Sequence, residues 1–321
     1  MQELFPYLIN MTEKIPLTQL LCAKIHEHHM PSKWIDLAVM PHFSWPNKKV
    51  ELCFDDKKIV LQPGTADLSC AISVYDENGL SFEEGGKILY RFLSRLAWSQ
   101  DGGIEELFIC GSNSPKRPGL LGRGTYARSG WAQVEPWDYL YLPIPGSDKA
   151  DRALALFREA MNVNSIPFSF LSYFKVLNIR FASGAPQKDW INNNLGDIKY
   201  GPGLERLNEL QNKVPDIGAY LYHQGRCSVA HAYSDDIVNP DDYEDKRRLE
   251  LDLPLMKEIA SVCIEKEFGV KTHSSFWEYL RENDVDSPEL LKKVLKWGQP
   301  LTWDISVPCQ GLTPIYLIRS W

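Results

Sequence analysis

Arg226 and His231 stand five residues apart in GAYLYHQGRCSVAHAYSDD, residues 218–236. The stretch is otherwise apolar and helix-like, and a packed helix needs neither side chain. Together they suit one chemistry. A histidine titrating near neutrality can move a proton to or from a ribose hydroxyl or a leaving oxygen, while a fixed guanidinium neutralises the phosphate. That is RNA cleavage without a metal. The structural alternative is a partly buried histidine in a bundle, with the arginine bonded to the acidic residues of YSDD or NPDD nearby. Helical geometry constrains the catalytic reading. Five steps turn about 500°, so the side chains sit about 140° apart and about 7.5 Å along the axis. They converge only if the helix is irregular or a second copy of the chain contributes. Gly225, immediately before Arg226, weakens the helix at that point.

Other chemistry-bearing stretches are weaker. In HEHH, His26 and His29 could share a helical face, but no carboxylate or cysteine nearby in sequence completes a coordination set, so no metal is expected. The glycines of GLLGRG, residues 119–124, lack the Lys-Ser/Thr and the strand-to-helix setting of a phosphate loop. No cofactor is expected. The aromatic runs WDYLYLP and SSFWEY could stack bases, and they also read as core.

The elements that must position the pair follow from periodicity. KKVELCFDDKKIVLQP alternates Val50, Leu52, Phe54 and then Ile59, Leu61, which predicts a hairpin turning through the Asp-Asp-Lys-Lys run. A strand through Cys70, Ile72 and Val74 is expected to close at the Asn78-Gly79 turn. Ser81 caps a helix that buries Ile88, Leu89, Phe92, Leu96 and Ala97 and stops at Gly102-Gly103, and the strand ELFICG follows. From Ser112 to Gly146 the chain is Gly-, Pro- and aromatic-rich loop, with a domain boundary near Pro145.

Beyond it the chain reads as helical. Ser147 or Asp148 caps a helix that buries Leu154, Phe157, Ala160 and Met161 and turns Arg152 and Arg158 to water. Ser165 caps the next, with Pro167 in its first turn. After DWINNNLGDI a helix is expected over PGLERLNELQ, and a long one carries Leu255, Ile259, Val262 and Cys263, with Asp252 as its cap ahead of Pro254. Ser287 caps a further helix, and the tail reads as two strands around Gln310-Gly311. The expected fold is α+β: a β-rich domain over 1–145, a helical bundle over 146–270 and a C-terminal extension over 271–321.

Composition sets bounds. With 44% hydrophobic and 24% charged residues and no run of about 18 apolar residues, the chain reads as a soluble protein without a membrane span. MQELFPYLINMTEKIPL lacks the basic start and apolar core of a signal peptide. The seven cysteines are scattered, without a Cys-x-x-Cys pair, and read as buried thiols of a cytoplasmic protein. A formal net charge of −7 argues against a broad basic nucleic-acid face but leaves room for a local site.

The segments ALALFREAMNVNSIPFSFLSYFKVLNI, IGAYLYHQGRCSVAHAY and NPDDYEDKRRLELDLPLMKEIASVCIE resemble the family called methylamine utilisation protein J, over about residues 148–270. The helical part also resembles the HEPN superfamily, whose motif is an arginine followed after four to six residues by a histidine. That resemblance implies a homodimer with two copies of the motif at its interface and metal-independent RNA cleavage. Arg226 would contact the scissile phosphate and His231 would act as general acid or base. Here Cys227 occupies a position that is usually polar in that motif. The expected activity is therefore that of an endoribonuclease or RNA-targeting effector, in phage defence or a toxin-like system, with the β-rich domain as a sensor or protein-partner module. The alternative is a non-catalytic nucleotide- or protein-binding accessory protein, including one for amine utilisation.

Overall fold

The structure is a computed structural model that describes residues 31–65, 68–113, 133–134, 142–231, 238–239, 242–282 and 298–299. The chain begins there with β1 (Ser32–Pro41), β2 (Trp45–Pro46), β3 (Val50–Phe54), β4 (Lys57–Gln62) and β5 (Cys70–Leu80). Helix α1 (Phe82–Ser99) and strand β6 (Ile104–Ser112) follow. Five of these strands form one antiparallel sheet in the order β3-β4-β5-β1-β6. The expected hairpin forms, with alternating burial in β3, whereas β4 buries Ile59, Val60 and Leu61 in succession. Asp55 and Asp56 form its two-residue loop, both with positive φ (49° and 58°), a conformation that matches the twist of the flanking strands.

Gly79 departs from expectation. It does not end a strand but lies inside β5 at φ 83°, beside a register irregularity between Ser32 and Trp34, and a Cβ there would meet Pro31. Its positive φ serves a bulge rather than a hairpin. Ser81 caps α1 in a reciprocal capping box with Glu84. The helix lays Leu89, Phe92, Leu93 and Leu96 on the sheet residues Ile35, Leu37, Phe54, Ile59 and Ile72. Phe54 and Phe92 meet edge to face at 5.3 Å.

Two short ladders stand apart: β7 (Gln133–Val134) runs parallel to β2, and β8 (Leu142–Pro143) pairs with β9 (Gly298–Gln299). After β8 the described chain is helical, with α2 (Asp148–Asn162), α3 (Ile166–Arg180), α4 (Gly184–Asn194), α5 (Gly201–Gln211), α6 (Ile217–Tyr220), α7 (Ser228–Ala230), α8 (Tyr243–Phe268) and α9 (His273–Glu282). Ser147 and Ser165 occupy the expected N-cap positions. A second core joins Phe170, Phe174 and Leu177 of α3 to Leu255, Met256, Ile259 and Cys263 of α8, with α2 and α5 packed outside. An antiparallel sheet followed by a helical region makes the fold α+β.

The two cores are joined directly. Trp98 of α1 meets Phe157 of α2 edge to face at 5.0 Å, and the Asn162 side chain accepts from Ile104 N–H at 2.7 Å and donates to Ile104 C=O at 2.6 Å. Arg158 does not face water. It reaches Glu106 of β6 at 3.0 Å and lies over the Tyr90 ring, and burial pulls its pKa down from the ordinary arginine value. The helical period places Arg158 correctly off the α2 core stripe, but only the docked sheet shows what covers it.

Asp252 is likewise not a cap. Asp242 caps α8, its carboxylate accepting from Glu244 and Asp245 N–H, and Pro254 lies inside the helix. The reading of buried thiols holds at Cys70 and Cys263; Cys110 and Cys227 are free thiols but only half-buried, and Cys53 is disulfide-bonded. Burial pushes the Cys70 and Cys263 thiols up to about 12, which makes them poor nucleophiles. His26, His29, GLLGRG, Cys22, Cys309, the helix at 287–297 and the strands beyond 300 lie outside the described residues. Among the described residues no helix is long and apolar enough to cross a membrane.

Candidate active site

The segment 217–230 is one helical run with three geometries: α6, a π-helical segment over Leu221–Cys227, and α7. Its start is fastened to α4. Asp216 accepts from Ala219 N–H at 2.7 Å and from the Asn192 amide at 2.8 Å, and Asn192 accepts from Gly218 N–H at 2.8 Å. The backbone hydrogen bonds at Ala219 lead the effects that hold the Asp216 carboxyl below its ordinary value. Gly218 permits the approach, since a Cβ there would sit 2.4 Å from the Lys188 carbonyl oxygen.

The π segment widens the helix where Gly225 passes Phe170. A Cβ on Gly225 would lie 2.4 Å from the ring of Phe170, itself fully buried. Substitute donors hold the widened turn. The Gln224 carbonyl accepts from the Ser228 hydroxyl and from Arg248 Nη1 at 2.6 Å. Single π turns within α-helices are rare and concentrate at functional sites.

Arg226 sits near the end of this segment, and His231 is the first residue after α7, with extended backbone (φ −124°, ψ 115°). His231 N–H still donates to Cys227 C=O at 3.0 Å, but the side chain leaves at an angle that a continuing helix would not allow. Both irregularities release the pair from the roughly 140° separation of a regular helix. Arg226 Nη1 lies 3.0 Å from His231 Nε2 within a single copy of the chain. A guanidinium has donors only, so as a hydrogen bond this contact has Arg226 donating to Nε2.

The guanidinium also lies near Cys227 Sγ at 3.7 Å and the Tyr222 ring at 5.6 Å. Among the described residues Arg226 forms no ion pair with a carboxylate. Of the acidic residues of YSDD and NPDD, Asp235, Asp236 and Asp241 lie outside the described residues and Asp242 caps α8, while Asp245 pairs with Arg248 at 3.5 Å. Arg226, Cys227 and His231 are all half-buried.

Beside Tyr220 of the same run, Asp252 of α8 is 1% exposed. One carboxylate oxygen accepts from Arg206 at 2.9 Å and the other from the Tyr220 hydroxyl at 2.8 Å. Burial pushes the Asp252 carboxyl up even though both partners favour its charged form. Burial works against the Arg206 guanidinium too, but there Glu209 and Asp252 outweigh it and hold its pKa above the ordinary value. The directions differ because the carboxylate is almost wholly enclosed, whereas the Arg206 side chain keeps 12% of its surface. Burial and the Asp252 charge push Tyr220 up, so its hydroxyl remains a donor. Together with Arg248, this cluster locks the run to α8.

Periodicity could have found Tyr222, four residues before Arg226 on a helix. The roles of Arg248, Arg206 and Asp252 carried no local signal, because each depends on a partner far away in sequence. Among the described residues, no three His, Cys, Asp or Glu side chains group as a metal site would need.

No curated protein and no solved structure matches the chain. Residues 153–265, which run from α2 into α8 and include Arg226 and His231, match the model of the family described as methylamine utilization protein MauJ.

Proposed function

We propose that the chain cleaves RNA without a metal, with His231 moving the proton and Arg226 holding the phosphate. One observation carries the reading: Arg226 Nη1 and His231 Nε2 lie 3.0 Å apart, so one phosphodiester can engage both. A phosphate arriving at the guanidinium competes for the donor that now occupies Nε2, and so frees the base as substrate binds. Nε2 then takes the ribose 2′-hydroxyl proton, the 2′-oxygen attacks phosphorus, and the bond to the 5′-oxygen breaks. The leaving 5′-oxygen takes a proton from water or from the histidine of a second copy. Arg226 neutralises the charge that builds on the non-bridging oxygens. A homodimer across the 226–231 surface would pair two such sites, and the sheet unit would remain available to a protein partner.

The test is RNA incubated in chelator with wild type, His231→Ala and Arg226→Ala. Each substitution is expected to lower the cleavage rate at least about 10²-fold, in line with the loss of a general base or an oxyanion donor. Absence of cleavage by wild type, or undiminished cleavage by His231→Ala, overturns the reading.

A second reading has its own support. The pair closes on itself beside the Tyr222 ring, as a structural clamp would, and the matching family is named for methylamine utilization. In that reading the chain is a non-catalytic accessory protein. His231→Ala would then lower stability and leave no rate to lose.

A further inference from the structure

Between the sheet unit and the helices lies a cavity of about 810 Å³, within the range of small-molecule sites, which favour such junctions. Arg226 and His231 do not line it. His42, Asp101 and Gly103 form one wall, and the start of α3, Tyr173, Lys246 and Lys257 form the other.

Its polar groups are unevenly satisfied. Tyr173 is 3% exposed and lines the cavity, and its hydroxyl has no hydrogen-bond partner among the described residues. The 15-residue helix α3 opens here with no side-chain cap on its first turn. Pro167 has no N–H, and the Ile166 and Phe168 amides fall among the donors that a helix start leaves over.

The charges lean one way. Asp101 is neutralised by Lys257 at 2.8 Å, and His42 is already engaged by Glu105 at 2.9 Å. Lys246, exposed at the rim, has no ion-pair partner among the described residues. Met161, Ile166, Val229 and Leu253 supply apolar wall, and the Phe168 ring, 60% exposed, stands at the helix start.

We infer that this cavity is a binding site for a small organic anion. Its phosphate or carboxylate group lies between the α3 start and Lys246, a polar atom accepts from the Tyr173 hydroxyl, and its apolar body lies against Ile166 and Phe168. Burial pushes Tyr173 well above the ordinary tyrosine value, which keeps the hydroxyl protonated and able to donate. The inference does not depend on RNA cleavage.

Calorimetric titration of the full chain with phenyl phosphate, and with phenol as the uncharged counterpart, tests it. Phenyl phosphate is expected to bind and raise the melting temperature, and phenol to do neither. Lys246→Glu and Tyr173→Phe should each weaken phenyl phosphate binding about tenfold, equal to about 1.4 kcal/mol. Tyr173→Phe removes no hydrogen bond among the described residues and should leave the melting temperature of the ligand-free protein unchanged, so lost binding will not reflect unfolding. Lys87→Ala, on the exposed side of α1, should bind as wild type does. Failure of phenyl phosphate to bind, or equal binding by wild type, Lys246→Glu and Tyr173→Phe, overturns the inference.

Discussion

Gly225 carries a packing constraint and a conformational one at once. Its missing Cβ admits the Phe170 ring, and its position just before Arg226 places that constraint inside the π segment. Gly225→Ala is expected to destabilise the protein by about 1–3 kcal/mol, since forcing a methyl group into a filled core outweighs the roughly 1 kcal/mol gain in helix propensity. Urea unfolding measures this, and an unchanged midpoint would show that Phe170 can move aside freely. Arg226 and His231 were visible in sequence as chemically suited residues. Their contact was not, because a regular helix sets them apart, and the release comes from Phe170, Arg248 and an extended residue 231.

At the scale of elements, the caps at Ser81 and Ser147 and the turn of the β3–β4 hairpin were read correctly. Ser81 with Glu84, Ser147, and the β3–β4 hairpin each depend on residues within a few positions of one another. Asp252 misled for the opposite reason: Asp followed closely by Pro imitates a helix start, but here α8 continues through Pro254 and buries the carboxylate against Arg206 and Tyr220. The run that holds the candidate pair begins at Asp216, which offers a pH test. Asp216→Ala should cost about 1 kcal/mol near neutrality, a typical N-cap loss. The folded protein holds this carboxyl below its ordinary value, so its contribution is full above the unfolded pKa of about 4 and is lost as pH falls through the lower folded value. The difference in thermal stability between wild type and Asp216→Ala should therefore shrink on acidification. A constant difference from neutral pH to pH 3 would contradict the charged cap.

For the whole molecule, the decisive contacts join the sheet to the helices. Ile104 is fully buried, and both its N–H and its C=O are satisfied by the side chain of Asn162. Asn162→Ala leaves both groups unpaired and is expected to cost about 2–4 kcal/mol, read as a lower urea midpoint. A loss below about 0.5 kcal/mol would mean that water replaces the amide at no cost. The same junction frames the cavity and covers Arg158, which the period of α2 had turned to solvent. By itself the sequence determined the α+β order, the β3–β4 hairpin, most helix starts and the chemical types at 226 and 231, because these are encoded by turn geometry and by the period of apolar residues. The tertiary structure alone decided that Arg226 meets His231, that Asp252 is a buried anchor, and that a cavity opens between the units. Each of these requires residues far apart in sequence to be packed together, and no local period records such a meeting.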